Sequence, residues 1–202
     1  DENHGRWLIA PAAGGRATRR RYRDHTLVLE TEFETAEGAV RIIDFMPIRD
    51  KTVDMIRIVE GLHGHVPMQM HLTIRFDYGS IIPWVRNVHG ALVGIAGPDA
   101  LVLRTPVETR GAGHSTVAEF TVRRGQRVPF ALAWYPSHEE IPRPVNATWA
   151  LERTESWWHK WSKKSTYDGE WPEAVQRSTI TLKALTYAPT GGIVAAPTTS
   201  LP

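Results

Sequence analysis

This sequence predicts a mainly β protein: a large antiparallel β-sandwich followed by two helices. Three observations carry that expectation. Most of residues 6–136 alternate apolar and polar side chains with period two, the spacing that puts one face of a strand against a core. Glycine-bearing turns cut this stretch into short runs with no helix-period segment between them, which favours antiparallel sheets packed face to face. After a proline-rich joint the apolar spacing lengthens to that of an amphipathic helix.

The elements follow in order. Arg16, Arg19, Arg20, Arg21 and Arg23, with Tyr22 among them, form the densest charge run, and it reads as the charged, aggregation-resistant flank of an edge strand. The competing reading is a phosphate or polyanion patch, which nothing else in the chain extends. Leu27, Leu29, Thr31 and Phe33 alternate with Val28, Glu30, Glu32 and Glu34, so the three glutamates are expected on the solvent face. Glu37-Gly38 is a turn signal before the run 39–45, and the two runs read as a hairpin. Met68, Met70, Leu72, Ile74 and Phe76 alternate with Gln69, His71, Thr73, Arg75 and Asp77, a half-buried strand. Further strands are expected at 53–60, 84–89, 91–96, 101–105, 116–123 and 128–135, separated by Gly61, Gly64, Ser80, Gly90, Gly97-Pro98, residues 111–113 and Gly125.

Ile141-Pro142-Arg143-Pro144 removes backbone donors and favours extended geometry, so 137–146 is expected to be a joint. Beyond it Ala150, Thr154, Trp157, Trp158 and Trp161 fall at helical spacing, with Asn146 or Thr148 as the cap. A loop at 165–169 leads to a second helix in which Trp171, Val175, Ser178, Leu182 and Leu185 share a face. That helix breaks at Pro189-Thr190-Gly191-Gly192 and gives way to an apolar run from Ile193 to Pro202. The chain opens at Asp1 and closes on this run, so both ends are expected to continue in a longer polypeptide. The expected organisation is a sandwich at 1–136 with opening strands missing, a helical linker at 137–169, and the start of a further domain at 170–202.

Composition narrows the chemistry. The chain has 202 residues with 42% hydrophobic content, enough for one sizeable core, and 24 Lys+Arg against 22 Asp+Glu give a net charge of only +2. So small an excess is no footprint for nucleic acid. With no cysteine there is no disulfide framework, thiol nucleophile or thiolate metal site. No apolar run reaches the roughly 18–20 residues of a membrane helix and no leader is visible, so no membrane partner is expected and the cytoplasm is the expected compartment.

Single residues add little. His63-Gly64-His65 offers two ligands where zinc needs three or four, and it reads as a solvated loop on a glycine turn. Neither metal nor cofactor is expected. Trp149, Trp157, Trp158, Trp161 and Trp171, and Trp84 apart from them, are platforms for a sugar ring or, in the preferred reading, packing anchors. Asp44, Asp54, Asp77, Asp168, Glu30, Glu32 and Glu60 are candidates by type for a glycosidase pair, but none has a supporting context and each reads as structural. Asn146-Ala147-Thr148 is a glycosylation triplet whose hydroxyl a helix start would occupy.

The run Thr181-Leu182-Lys183-Ala184-Leu185-Thr186-Tyr187, followed by Thr190-Gly191-Gly192-Ile193-Val194-Ala195-Ala196-Pro197-Thr198-Thr199-Ser200-Leu201-Pro202, resembles the opening of the catalytic helical barrel of glycoside hydrolase family 15. That family holds the glucoamylases and bacterial trehalases. Glu30-Thr31-Glu32-Phe33-Glu34-Thr35, Asp44-Phe45-Met46-Pro47 and Arg75-Phe76-Asp77-Tyr78-Gly79 resemble the β-rich, trehalase-like domain that precedes the barrel. The resemblance implies a supersandwich, then a linker helix and the first helix of an incomplete (α/α)6 barrel, whose missing remainder is the intramolecular partner. It implies hydrolysis of a terminal α-glucosidic bond, in trehalose or a maltooligosaccharide, by an inverting pair of carboxylates. The family's acid, base and sugar-gripping Arg-Asp motif fall beyond Pro202, so no catalytic residue is carried over. Thr198, Thr199 and Ser200 match a loop that heads toward the sugar pocket and are the candidate substrate-binding residues. A stand-alone carbohydrate-binding sandwich using exposed tryptophans is the competing function.

Overall fold

The computed structural model of the chain describes residues 4–49 and 52–195. Eleven strands form among them: β1 (Arg6–Pro11), β2 (Ala17–Tyr22), β3 (Leu29–Thr35), β4 (Gly38–Phe45), β5 (Val53–Thr73), β6 (Trp84–Val88), β7 (Ala91–Ala96), β8 (Asp99–Arg104), β9 (Arg110–Ala112), β10 (Ser115–Arg123) and β11 (Arg127–Pro136). Two helices follow, α1 (Ala147–Ser162) and α2 (Pro172–Ala184). Every strand pairing is antiparallel. The mainly β sandwich expected from the period-two runs is the fold observed.

One layer runs in the order β2-β3-β4-β5-β11-β8-β7-β6. The other is smaller, with β1 and β10 on either side of the second half of β5 and β9 on the far side of β10. β5 therefore belongs to both: residues 53–64 pair with β4 or β11, and residues 65–73 pair with β10 or β1. Separate strands at 53–60 and 68–76 were the expectation from the glycines between them; the structure instead makes one 21-residue strand that bends there. The glycines explain the bend rather than a break. A Cβ on Gly61 would sit 2.0 Å from the Arg123 carbonyl oxygen, and one on Gly64, at φ +63°, 2.1 Å from that of Glu37. Only glycine lets the backbones approach so closely at the corner. A second difference is β9, a three-residue edge strand where residues 111–113 read as a turn.

The facing sides of the layers form the main core. Val40, Ile42, Val59 and Phe130 come from the larger layer, and Ile9, Met68, Met70 and Leu72 from the smaller. Burying each such side chain contributes roughly 1.5–3 kcal/mol, which makes this interface the principal source of stability. The alternation from Met68 through Ile74 is thus the inward face; Phe76, at its end, packs only partly.

α1 covers the outer face of the larger layer. Its Ala147, Ala150 and Leu151 pack on Val28, Ile43, Phe45, Ile56 and Ile58. The Asn146 side chain caps the helix by accepting from Trp149 N at 3.0 Å. α2 begins on Pro172, whose missing N–H costs nothing in the first turn. Its packing departs from the expected stripe: Ile180 is buried, while Ser178 and Leu182 are exposed. In this orientation Arg177 donates to Thr26 O, in the loop between β2 and β3, at 2.9 Å and lies 4.6 Å from the centre of the Tyr22 ring, which ties the helix to the end of β2. Among the described residues no helix is long and apolar enough to cross a membrane.

Candidate functional site

Thr198, Thr199 and Ser200 lie outside the described residues. The other residues singled out from sequence are placed, and the carboxylates come first because glycosidase chemistry depends on them. On the outer face of the larger layer the strand register sets Arg19, Glu32, Arg41, Glu60 and Arg127 directly opposite one another across β2, β3, β4, β5 and β11. Cross-strand partners on one face sit close enough for such alternating charges to pair. Arg41 reaches Glu32 at 2.8 Å and Glu60 at 3.5 Å, and Arg127 reaches Glu60 at 2.6 Å.

Glu30 corrects the sequence reading. The outer face was expected to be solvent, but α1 lies over it, and Glu30 is 3% exposed. Its burial is compensated by Arg23 at 2.8 Å, Arg21 at 3.1 Å and Arg41 at 3.5 Å. Arg23 also binds Glu155 of α1, so one guanidinium ties sheet to helix. Burial works against the Arg23 charge, but the hydrogen bonds it donates to Glu155 and Glu30, with the attraction of both carboxylates, outweigh it and hold the pKa above the ordinary arginine value. Arg104 on β8, with desolvation dominating, is shifted down instead.

Asp44 forms a two-pronged pair with Arg57, at 2.8 and 3.3 Å. Arg57 also donates to Trp7 O at 2.7 Å and stacks 5.2 Å from the Trp7 ring centre, which staples β1 of the smaller layer to β4 and β5 of the larger. Asp54 accepts from Thr52 and Asp77 from Ser80. Asp168 falls in the exposed segment between the helices. Glu30, Glu32, Glu60 and Asp44 thus spend oxygens on arginine donors inside the architecture, the arrangement of a framework rather than of an acid and base flanking a scissile bond.

The arginine run divides. β2 is the edge strand of the larger layer, as its charge suggested, and Arg21 and Arg23 turn inward to Glu30. His63 and His65 lie on the bend of β5 instead of a free loop, with His65 3.5 Å from Glu37. Among the described residues no three His, Cys, Asp or Glu side chains converge as a metal site. Of the tryptophans, Trp158 is buried and makes edge-to-face contacts with Trp157 at 4.9 Å and Trp161 at 6.0 Å. Trp149 is exposed against the Arg153 guanidinium, and Trp171 and Trp84 are more exposed still.

Two of the recesses among the described residues border the exposed tryptophans and the helix–sheet junction. A groove of about 570 Å³ runs between the sheet and the helices, lined by Tyr22, Leu27, Met46, Met55, Trp157 and Ala184. A cleft of about 380 Å³ opens between the free edges β6 and β9 over Leu72, Ile74 and Leu92. Sequence reasoning missed both, because each is walled by residues from elements far apart in the chain, Leu72 with Trp84 and Arg110 in the cleft and Tyr22 with Met46 and Trp157 in the groove, and local periodicity does not show which elements meet.

The family described as trehalase-like, N-terminal, matches residues 1–133. A trehalase of Thermoplasma acidophilum is 28% identical over 187 residues, covering 90% of this chain and 32% of its own length. Trehalases of Mycobacterium tuberculosis and Mycolicibacterium smegmatis are each 28% identical over 232 residues, covering 100% of this chain and 34% of theirs. The chain therefore spans about a third of the length of these curated relatives. With residues 1–133 of 202 matched, the chain belongs to the trehalase-like N-terminal family.

Proposed function

We propose that this chain is the N-terminal part of a glycoside hydrolase family 15 protein that hydrolyses terminal α-glucosidic bonds, in trehalose or an α-1,4-glucan, with inversion. The observation that carries the reading is the family match together with full-length alignment to trehalases three times longer. The chain itself is scaffold: residues 1–136 are the sandwich, 137–169 the linker with its helix and 170–202 the start of an (α/α)6 barrel. The engagement of Glu30, Glu32, Glu60 and Asp44 by arginines supports a non-catalytic role. Thr198, Thr199 and Ser200 take part in positioning sugar once the barrel is complete. Incubation of the chain with trehalose, maltose and maltotriose should release no glucose, whereas the polypeptide continued through its own reading frame should release β-glucose, seen by proton NMR before mutarotation. Glucose release by the 202 residues alone would overturn the scaffold role.

A second reading is favoured by one observation, the 84% exposure of Trp84. An aromatic ring so presented suits the apolar face of a pyranose, and the chain would then be a carbohydrate-binding module. Saturable quenching of tryptophan fluorescence by maltooligosaccharides, lost in Trp84→Ala, would establish it.

A further inference from the structure

Among the described residues, the exposed large apolar side chains of the sandwich lie at one end. The register puts Val53, Trp134, Leu101, Gly94 and Val85 in one row across five strands. Trp134 and Val85 in that row and Met46, Met55 and Trp84 beside or beyond it are each at least 37% exposed, and Tyr22 ends β2 on the same side. The opposite end is made of the turns at Glu37-Gly38, the β5 corner, His89-Gly90 and Arg124-Gly125-Gln126, where no large hydrophobic side chain is exposed among the described residues. A sandwich with nothing to cover has no reason to segregate its apolar surface in this way.

The loop that links the smaller layer to β6 stands at the apolar end and is held in a strained shape. Asp77 (φ +48°), Tyr78 (φ +53°) and Gly79 (φ +94°) are three successive left-handed residues, two of them not glycine. Phe76 and Ile81 close the loop by exchanging backbone hydrogen bonds at 3.0 and 3.1 Å, and the Ser80 hydroxyl donates to Asp77 O at 2.7 Å. These bonds fix a short arch that presents Tyr78 at 84% exposure, with Ile81 and Ile82 at 43% and 50% on its return. Strain of this kind persists only where surrounding bonds over-determine it, so the arch is a fixed projection.

The surface is continuous with the way out of the described chain. Tyr22, Met46 and Met55 line one side of the 570 Å³ groove, and Ala184, Thr186 and Ala188 of the α2 terminus line the other. There Thr186 bridges to Ile193, and Val194 donates to Leu185 O, so the last described residues lie beside the apolar end. The aligned trehalases carry about two-thirds of their length outside the match.

We propose that this end of the sandwich, with the arch at residues 76–81 as its projecting knob, is the face on which the catalytic portion of the same polypeptide docks. The inference rests on the reading of the chain as the N-terminal part of a longer glycosidase. Its chemistry is that of a domain interface: an apolar, aromatic-rich face meeting a complementary apolar face of the following helical domain, with the groove beside α2 at its margin.

The test compares hydrogen exchange in the 202-residue chain with that in the polypeptide continued through its own reading frame. Amides at 46–49, 76–85 and 132–136 are expected to slow by on the order of tenfold or more in the longer polypeptide, while those at the β5 corner stay unchanged. Ile82→Ser with Trp84→Ser is expected to leave the thermal midpoint of the short chain in place and to lower that of the longer one. A longer polypeptide that hydrolyses trehalose while this end exchanges as before would overturn the docking face and leave the glycosidase reading standing. Protection of the end without any α-glucosidase activity would support the face and remove the glycosidase. Concentration-dependent protection in the short chain, matched by a dimer in sedimentation, would assign the face to a second copy and overturn the proposal, as would protection produced by maltooligosaccharide alone.

Discussion

Glu30→Ala isolates what the buried charge cluster contributes. The substitution removes a carboxylate that is 3% exposed and contacts three guanidinium groups. Stripping one member from a buried ion pair costs about 3–5 kcal/mol when the remaining charge has nowhere to turn. Here two of the three arginines retain other partners: Arg23 keeps Glu155, and Arg41 keeps Glu32 and Glu60. Arg21 is 40% exposed and rehydrates readily. The expected loss is therefore smaller, about 2–3 kcal/mol, most of it from the desolvated half of Arg23. For a chain of this size that is a drop in Tm on the order of 4–12 °C. Urea unfolding of the wild type, Glu30→Ala, Arg23→Ala and the double variant completes a cycle, and a coupling energy of about 1 kcal/mol or more is expected between the two residues. A Glu30→Ala loss below about 0.5 kcal/mol, or additive single effects, would refute the view that this cluster binds sheet to helix.

Other outcomes follow from single contacts. Phe130→Ala, at a fully buried position between the layers, should cost about 3–5 kcal/mol in urea unfolding, with no change expected in the antiparallel β signature of the far-UV spectrum. Gly64→Ala must relieve both a φ of +63° and a 2.1 Å approach to Glu37 O, so the variant should lose several kcal/mol or fail to accumulate as folded protein in a solubility assay. Asn146→Ala removes the acceptor for Trp149 N and should cost about 1 kcal/mol, read as a lower Tm, while Asn146→Asp should stay close to wild type. Arg57→Ala frees Asp44 and the Trp7 carbonyl together and should cost about 3 kcal/mol, with faster exchange at β1 amides than at β8 amides.

Much of the fold was legible because its cause is periodic. The alternation from Met68 to Ile74 survives as the inward face of β5, and Asn146 caps α1 where an amide side chain before a helix-period run suggested it. What escaped depends on contacts distant in sequence. Glu30 alternates like a solvent-facing residue, yet Arg21, Arg23 and Arg41 enclose it, and Arg23 is in turn held by Glu155 of α1, more than a hundred residues later. Gly61 and Gly64 carry the same local signal whether they end a strand or bend it, and the deciding contacts are with Arg123 and Glu37. On α2 the apolar count favoured Leu182, but Ile180 is the side chain buried, on a helix whose Arg177 is anchored to Thr26 and Tyr22. The arginine run identified the edge strand, yet nothing local said that Arg21 and Arg23 would bend back toward a buried glutamate. The apolar end was invisible in the sequence because its members come from six separate turns and strand ends.

The 21 residues of β5 hold their place in both leaves of the sandwich at once, hydrogen-bonded to β4 and β11 before the corner and to β1 and β10 after it. Neither leaf can peel away while that shared spine stays folded. Opening either half of that spine removes hydrogen bonds from a strand the other leaf also uses, so the two leaves are expected to loosen together.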